Sequence, residues 1–193
     1  MLLLLADCFG CMPDWGPDWA CLGRERVKPG TGWYGEKGSA AALWVMTLNE
    51  QFEHWSLSPP PELVGDPIWK LPAFRIGLFL APIARDDTDP LASDAHYAHV
   101  SDQLLRSVNS IAANITEGYP RHSGRERARF YEFALGSARE ARYWYRSLAR
   151  PLGDEAVWER TFLLTRAIKI LTKAIPEERD RNLTPLSRSP NTP

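Results

Sequence analysis

From Val100 the apolar positions fall at Val100, Leu104, Val108, Ile111 and Ile115, in steps of three and four that lay one stripe along an α-helix. Gly118 and Pro120 end it, the glycine by relieving backbone strain and the proline by being unable to continue the hydrogen-bond ladder. Ser123 with Glu126 three residues on has the spacing of a capping box and starts a further helix. Its inner stripe reads Phe130, Phe133, Ser137, Ala141, Trp144 and Leu148, and Pro151 and Gly153 stop it. Asp154 caps a last helix with Val157, Leu164, Ile168, Leu171 and Ile175 on one side, closed by Pro176. Upstream, Trp69 to Ala84 carries Phe74, Leu78 and Ala81 at helical spacing; Pro72 suits its first turn, and Pro82 is expected to kink or end it. Connections this short make neighbouring helices antiparallel, so the expected fold is all-α, an antiparallel up-and-down four-helix bundle over residues 66–176.

The flanks lack this periodicity. Residues 1–65 read as a largely unstructured N-terminal leader and Pro-rich linker: the first 45 are rich in Gly, Pro and Trp without a repeat, and Pro59, Pro60 and Pro61 favour an extended polyproline strut. Met46 opens ordinary polar sequence and is a candidate translation start, which makes 1–45 an artefact of start-site assignment. Asp86 to Asp94 reads as an acidic, proline-bearing connection, and 177–193 as a polar, disordered tail.

The formal net charge of −1 hides an asymmetry. Residues 1–94 carry −6, residues 95–175 carry +5 and the tail carries 0, so the field that attracts phosphates belongs to the bundle. Cys8, Cys11 and Cys21 all precede the bundle and cannot staple it, which points to a reducing cytoplasm. Cys8 and Cys11 form one CxxC with no second pair or nearby histidine to complete a zinc site, so no metal or cofactor is expected. Leu2 to Leu5 is too short for a signal-peptide core, and Pro72, Arg75 and Pro82 interrupt the best candidate for a membrane span.

Two rows of polar residues are candidates for function. Arg139, Arg142, Arg146 and Arg150 recur at helical spacing, with Arg125 and Arg129 near the helix start and Arg121 just before it. Arginine's planar fork suits bidentate phosphate contacts, and Tyr143 beside the row suits stacking on an unpaired base. The plainer alternative is a solvated face paired with Glu132 and Glu140 or with another subunit. On the preceding helix Gln103, Ser107, Ser110, Asn114 and Glu117 form a second stripe beside the apolar one. Small hydrogen-bonding residues at this spacing suit a seam where another helix approaches closely, and self-association along it is expected; a merely polar surface is the alternative. Enzyme signatures are missing: no inward Glu-x-x-His pair, Walker loop, GxGxxG, HExxH or nucleophile elbow occurs, and Glu117, Glu126 and Glu140 read as caps or ion-pair partners. No catalytic residue is assigned.

The run Gln-Leu-Leu-Arg-Ser-Val-Asn-Ser-Ile-Ala-Ala-Asn-Ile-Thr-Glu-Gly at 103–118, followed by Glu126, Phe130, Phe133-Ala134, Gly136-Ser137 and Glu140, resembles the four-helix bundle family of proteins associated with intervening sequences of bacterial 23S rRNA genes. The resemblance spans about residues 66–176, with Ile68-Trp69 similar to the opening of that family's first helix. It implies a left-handed bundle assembled as a homopentamer. Its relatives resemble the accessory variability determinant of diversity-generating retroelements, which implies a non-catalytic nucleic-acid-binding module serving a reverse transcriptase. The alternative is a protein-only scaffold. On this resemblance Gln103, Arg106, Ser107, Asn114, Glu117, Glu126, Gly136, Ser137 and Glu140 are structural or interfacial, with Gly136 and Ser137 marking a close backbone approach.

Overall fold

The structure, a computed structural model, describes residues 46–181. The leader over 1–45, the CxxC, the candidate start-site artefact and most of the tail lie outside the described residues. Everything regular among the described residues is helical. The α-helices are α1 (Leu48–Trp55), α2 (Pro72–Thr88), α3 (Ala98–Gly118), α4 (Gly124–Ser147), α5 (Ala149–Leu152) and α6 (Asp154–Asp180), with short 3-10 turns at Pro61–Leu63, Pro67–Lys70 and Asp89–Leu91.

The long helices pack in a closed circuit: α2 on α3, α3 on α4, α4 on α6 and α6 back on α2. Each turns its apolar stripe inward. Ile76, Leu80 and Ala84 of α2, Leu104, Val108 and Ile111 of α3, Ala134, Ala138 and Ala141 of α4, and Leu163, Leu164 and Ala167 of α6 are all fully shielded from solvent except for traces. Where helices approach most closely a glycine removes the obstacle: a Cβ on Gly77 of α2 would stand 3.0 Å from the backbone nitrogen of Ala112 on α3.

Several elements differ from the sequence reading. Residues 46–65, expected within the leader and linker, contain α1. Thr47 caps it with a reciprocal box, its hydroxyl accepting from the Glu50 N–H while Glu50 Oε2 accepts from the Thr47 N–H at 2.8 Å. Those hydrogen bonds hold the fully exposed Glu50 carboxyl below the usual range. Leu48 and Phe52 are buried, and Phe52, Trp55, Trp69 and Phe79 form a cluster of tilted and edge-on ring pairs with centroids 5.1 to 6.4 Å apart. After it, Pro60 has the extended conformation expected of the proline run (φ −55°, ψ 152°), but Pro61 already begins a 3-10 turn.

Pro72 occupies the first turn of α2 as anticipated, whereas Pro82 neither ends nor caps the helix, which continues to Thr88. Pro82 lies on the exposed face, so the lost N–H is on the solvent side while Phe79, Leu80 and Ala84 hold the opposite side in the core. Pro176 is likewise internal to α6, exposed beside buried Ile175 and Glu178. Asp154 is the first residue of α6 rather than its cap; Gly153, at φ 84°, takes the cap position in a backbone conformation that favours glycine. Ser123 does cap α4, with its hydroxyl accepting from the Glu126 N–H at 3.5 Å.

The largest revision concerns the inner face of α4. It is Ala128, Tyr131, Ala134, Leu135, Ala138, Ala141, Tyr145 and then Leu148, one position round from the expected stripe. Phe130 and Trp144 are only half-buried and Phe133 is exposed. The sequence reading weighted the large rings; the fold instead buries the alanines, which let α3 and α6 come close on either side.

The two buried tyrosines on this face differ in kind. Tyr145 donates to Asp87 Oδ2 at 3.1 Å, and burial next to that carboxylate pushes its hydroxyl well above the ordinary tyrosine range. Among the described residues Tyr131 has no hydrogen-bond partner for its buried hydroxyl, and burial together with the Glu178 charge pushes it up to about 12. Tyr131→Phe is therefore expected to leave stability unchanged or raise it slightly, whereas Tyr145→Phe, which strips a donor from Asp87, is expected to cost about 1–3 kcal/mol. Urea unfolding of both variants tests this, and a loss above ~1 kcal/mol in Tyr131→Phe would show that its hydroxyl is partnered.

Candidate functional site

Successive turns of α4 bring Arg125, Arg129, Glu132, Gly136, Arg139, Tyr143 and Arg146 onto one outer ridge, in steps of four and three. Arg125, Arg129, Arg139 and Arg146 are exposed, and Tyr143 is 62% exposed. Arg150 does not continue the ridge. α4 ends at Ser147, Leu148 leaves helical geometry (ψ 14°), and Arg150 is exposed on the separate short helix α5.

Between the ridge and α6 lies a shallow groove of about 400 Å³, lined by Arg139, Arg142, Tyr143 and Arg146 from α4 and by Trp158, Thr161 and Thr165 from α6. Arg142 is half-buried at its floor and donates to Thr165 Oγ1 at 3.2 Å. Among the described residues no carboxylate is within ion-pair distance of Arg139, Arg142 or Arg146. The two acids that the plainer alternative paired with the row are engaged elsewhere: Glu132 with Arg179, and Glu140 with the indole N–H of Trp144 at 3.1 Å. Across the groove Trp158 is 61% exposed and stacks on Phe162 with centroids 5.4 Å apart. The described residues thus present three guanidinium groups without a carboxylate partner among them, beside the exposed rings of Tyr143 and Trp158.

At the start of α4, Arg121 and Arg129 lie over Phe130 and Phe133 at 5.0 and 5.6 Å from the ring centroids, with Glu126 beside them. Arg121 also pairs with Glu117 at 3.0 Å. These cations are partly occupied by their own rings and acids, unlike the three in the groove.

The polar stripe of α3 runs along its line of contact with α4. His99 and Gly118 bracket it in helical phase, His99 meeting Trp144 edge-on with centroids 6.3 Å apart. A Cβ on Gly118 would stand 2.5 Å from the Phe130 Cβ. The close neighbour of this seam within the chain is therefore α4. Ser107 is buried, its hydroxyl donating to the Leu104 carbonyl at 2.9 Å. Gln103, Ser110 and Asn114 are half-buried along the rim, Asn114 donating to the Ser110 carbonyl at 2.8 Å. Glu117 is exposed, and Arg106 is exposed and 3.9 Å from Asp102. Ser137 donates to the Phe133 carbonyl, and Gly136 is open, with nothing within 4 Å of where its Cβ would be. Among the described residues no backbone of another helix approaches Gly136.

The sequence reading missed Trp158, Thr161 and Thr165, since they come from a different helix, 12 or more residues beyond Arg146, and only the α4–α6 packing brings them to the arginines. It also placed Asp87 in a loop. Asp87 is helical and half-buried, and Arg160 grips it through Nε at 3.0 Å and Nη2 at 3.1 Å. Burial disfavours the Arg160 cation, but the Asp87 hydrogen bond and charge outweigh this and raise its pKa above the ordinary arginine value. Among the described residues no three His, Cys, Asp or Glu side chains converge as a metal site, and no helix is long and apolar enough to cross a membrane.

No curated protein matches this chain. A crystal structure at 1.70 Å of a protein of unknown function from the S23 ribosomal protein family, from Bacteroides thetaiotaomicron VPI-5482, is similar over 53% of this chain and 97% of its own. The two are 27% identical, with a TM-score of 0.50. The model of the family described as 23S rRNA-intervening sequence protein matches residues 88–151, from the end of α2 through α3, α4 and most of α5. The motif at 103–140 lies inside that match, so the α3–α4 portion of this chain is similar to the 23S rRNA-intervening sequence protein family.

Proposed function

We propose that the protein is a non-catalytic nucleic-acid-binding module built on an antiparallel, left-handed, up-and-down four-helix bundle of α2, α3, α4 and α6. Antiparallel order is supported by pairs that join opposite ends of helices: Arg127 near the start of α4 with Glu178 near the end of α6 at 3.4 Å, and Arg142 late in α4 with Thr165 midway along α6. The observation that carries the binding reading is the groove holding Arg139, Arg142 and Arg146 with no carboxylate partner among the described residues. Three uncompensated cations at a surface cost self-repulsion unless an anion joins them, and arginine's fork matches phosphate oxygens.

Self-association, as a pentamer on the family resemblance, completes the reading. It is supported by the half-buried rim of Gln103, Ser110 and Asn114 and by the open notch at Gly136 on the arginine ridge. Association with a reverse transcriptase rests on that resemblance alone. A protein-only scaffold is the second reading, favoured by the exposed rings of Trp158 and Phe162, which also suit a protein partner.

The test is a fluorescence titration with RNA at about 50 and 200 mM salt, with light scattering on the same samples. Three phosphate contacts on a single strand give a slope near −2 in log affinity against log salt, a change of roughly 20-fold over that range. We expect a mass several times that of one chain and a slope that collapses in the triple variant Arg139→Gln, Arg142→Gln, Arg146→Gln. A protein that binds no RNA at either salt is the scaffold.

A further inference from the structure

We propose that the α4–α6 groove is a base-stacking site for single-stranded nucleic acid, with Tyr143 and Trp158 as its two stacking walls and the three arginines as its phosphate contacts. The inference rests on the nucleic-acid reading above and adds to it the form of the ligand and the residues on α6. A site for duplex needs cations only, because paired bases are stacked on one another and offer no free ring face to a protein. This groove has more than cations. Tyr143 rises from the arginine ridge and Trp158 from the opposite helix, each more than half exposed, with Phe162 exposed beside Trp158.

Their neighbours hold the rings upright. Trp158 is backed by Phe162 one turn on, stacked at an interplanar angle of 28°, and Tyr143 leans edge-on against Trp144 at 4.9 Å between centroids. A ring fixed by a second ring loses little freedom when a base lies on its open face, which makes it a better platform than a mobile side chain. The floor between them is polar rather than greasy. Thr161 and Thr165 line it; each hydroxyl donates to a backbone carbonyl one turn back, at 2.7 Å, and that of Thr165 also accepts from Arg142, so neither threonine has a proton left to donate to a base edge. Arginine forks around two aromatic walls over such a floor suit unpaired bases of any sequence, with the sugar–phosphate backbone along the ridge.

The full chain is titrated with a fluorescein-labelled, mixed-sequence strand of about twelve nucleotides, as RNA and as DNA, and with the same strands annealed to their complements. The single strands are expected to bind at least tenfold more tightly than the duplexes. Trp158→Ala and Tyr143→Ala are each expected to weaken single-strand binding about tenfold while leaving the salt slope and duplex affinity unchanged. Trp158→Phe and Tyr143→Phe, which keep a ring, are expected to restore most of it. Both positions are exposed, and circular dichroism and thermal melting confirm that each variant is folded. Equal affinity for single strands and duplexes, with no effect of either alanine, overturns the stacking site and leaves the arginine reading standing. No binding of any strand overturns both. A drop in the mass of Trp158→Ala by light scattering, without a change in binding, makes the groove a contact between copies of the chain and overturns the stacking site alone.

Discussion

Replacing Asp87 with alanine is expected to lower the free energy of unfolding by about 3 kcal/mol, near the lower end of what breaking a buried ion pair costs. Asp87 and Arg160 have side chains only 11% and 17% exposed, so solvent screens their interaction little. Removing the carboxylate strands the Arg160 cation and leaves the Tyr145 hydroxyl without its acceptor. The cost stays at the lower end because Glu159 remains 3.2 Å from Arg160 and can carry part of its charge. Glu159 also accepts the Leu48 N–H at 2.9 Å, so a shift of Arg160 toward it is felt at the start of α1. Asp102→Ala, which removes an exposed acid 3.9 Å from Arg106, is the control and should change stability by less than ~0.5 kcal/mol. Guanidinium unfolding monitored by circular dichroism measures both. Equal, small effects would mean that the Asp87 network contributes no more than a surface pair.

Gly124→Ala is expected to destabilise by about 2–3 kcal/mol, for a reason unconnected with charge. Gly124 opens α4 against the end of α6, and a Cβ there would overlap the Glu178 carbonyl and stand 2.6 Å from that of Arg181. Both obstacles are backbone, so a side-chain rotation cannot relieve them. The last turn of α6 has to move, and the Arg127–Glu178 pair moves with it. Gly136→Ala is the opposite case: the position is helical and open, so alanine is expected to raise the stability of the folded chain by about 0.5–1 kcal/mol. Thermal melting of the two variants should shift in opposite directions. A tolerated alanine at 124 would mean that α6 already gives way beyond Ile175.

The stripes of α3 and α6 were legible because Leu, Val and Ile at steps of three and four mark one buried face of a helix. The face of α4 was not. Its large rings, Phe130, Phe133 and Trp144, suggested one stripe, but the space left by α3 and α6 is narrow and accepts Ala134, Ala138 and Ala141 instead. Alanine is too weakly apolar to announce itself in a pattern. Pro176, read as the end of its helix, misled for a related reason, and Pro82 does not end α2: the rule that proline stops a helix concerns a lost hydrogen bond and a local clash, and both helices run on past their prolines with the opposite face packed. Of the candidate site, the arginines were readable as a row on one helix. Trp158, Thr161 and Thr165 were not, because their relation to that row exists only once α4 and α6 are side by side. Asp87 was hidden by its acidic neighbours, which gave the segment the composition of a loop.

The alanines on the inner face of α4 also set a scale on its outer face. With both flanking helices held close, the ridge is a stiff rod, and its side chains recur at intervals fixed by the helix. From Arg139 to Arg146 is seven residues, about 10 Å along the axis. A stacked strand rises roughly 3.4 Å per nucleotide, so a strand bound along the ridge as proposed would span it with about three nucleotides. If the chain self-associates as proposed, the total length of strand engaged would then be counted in multiples of that unit.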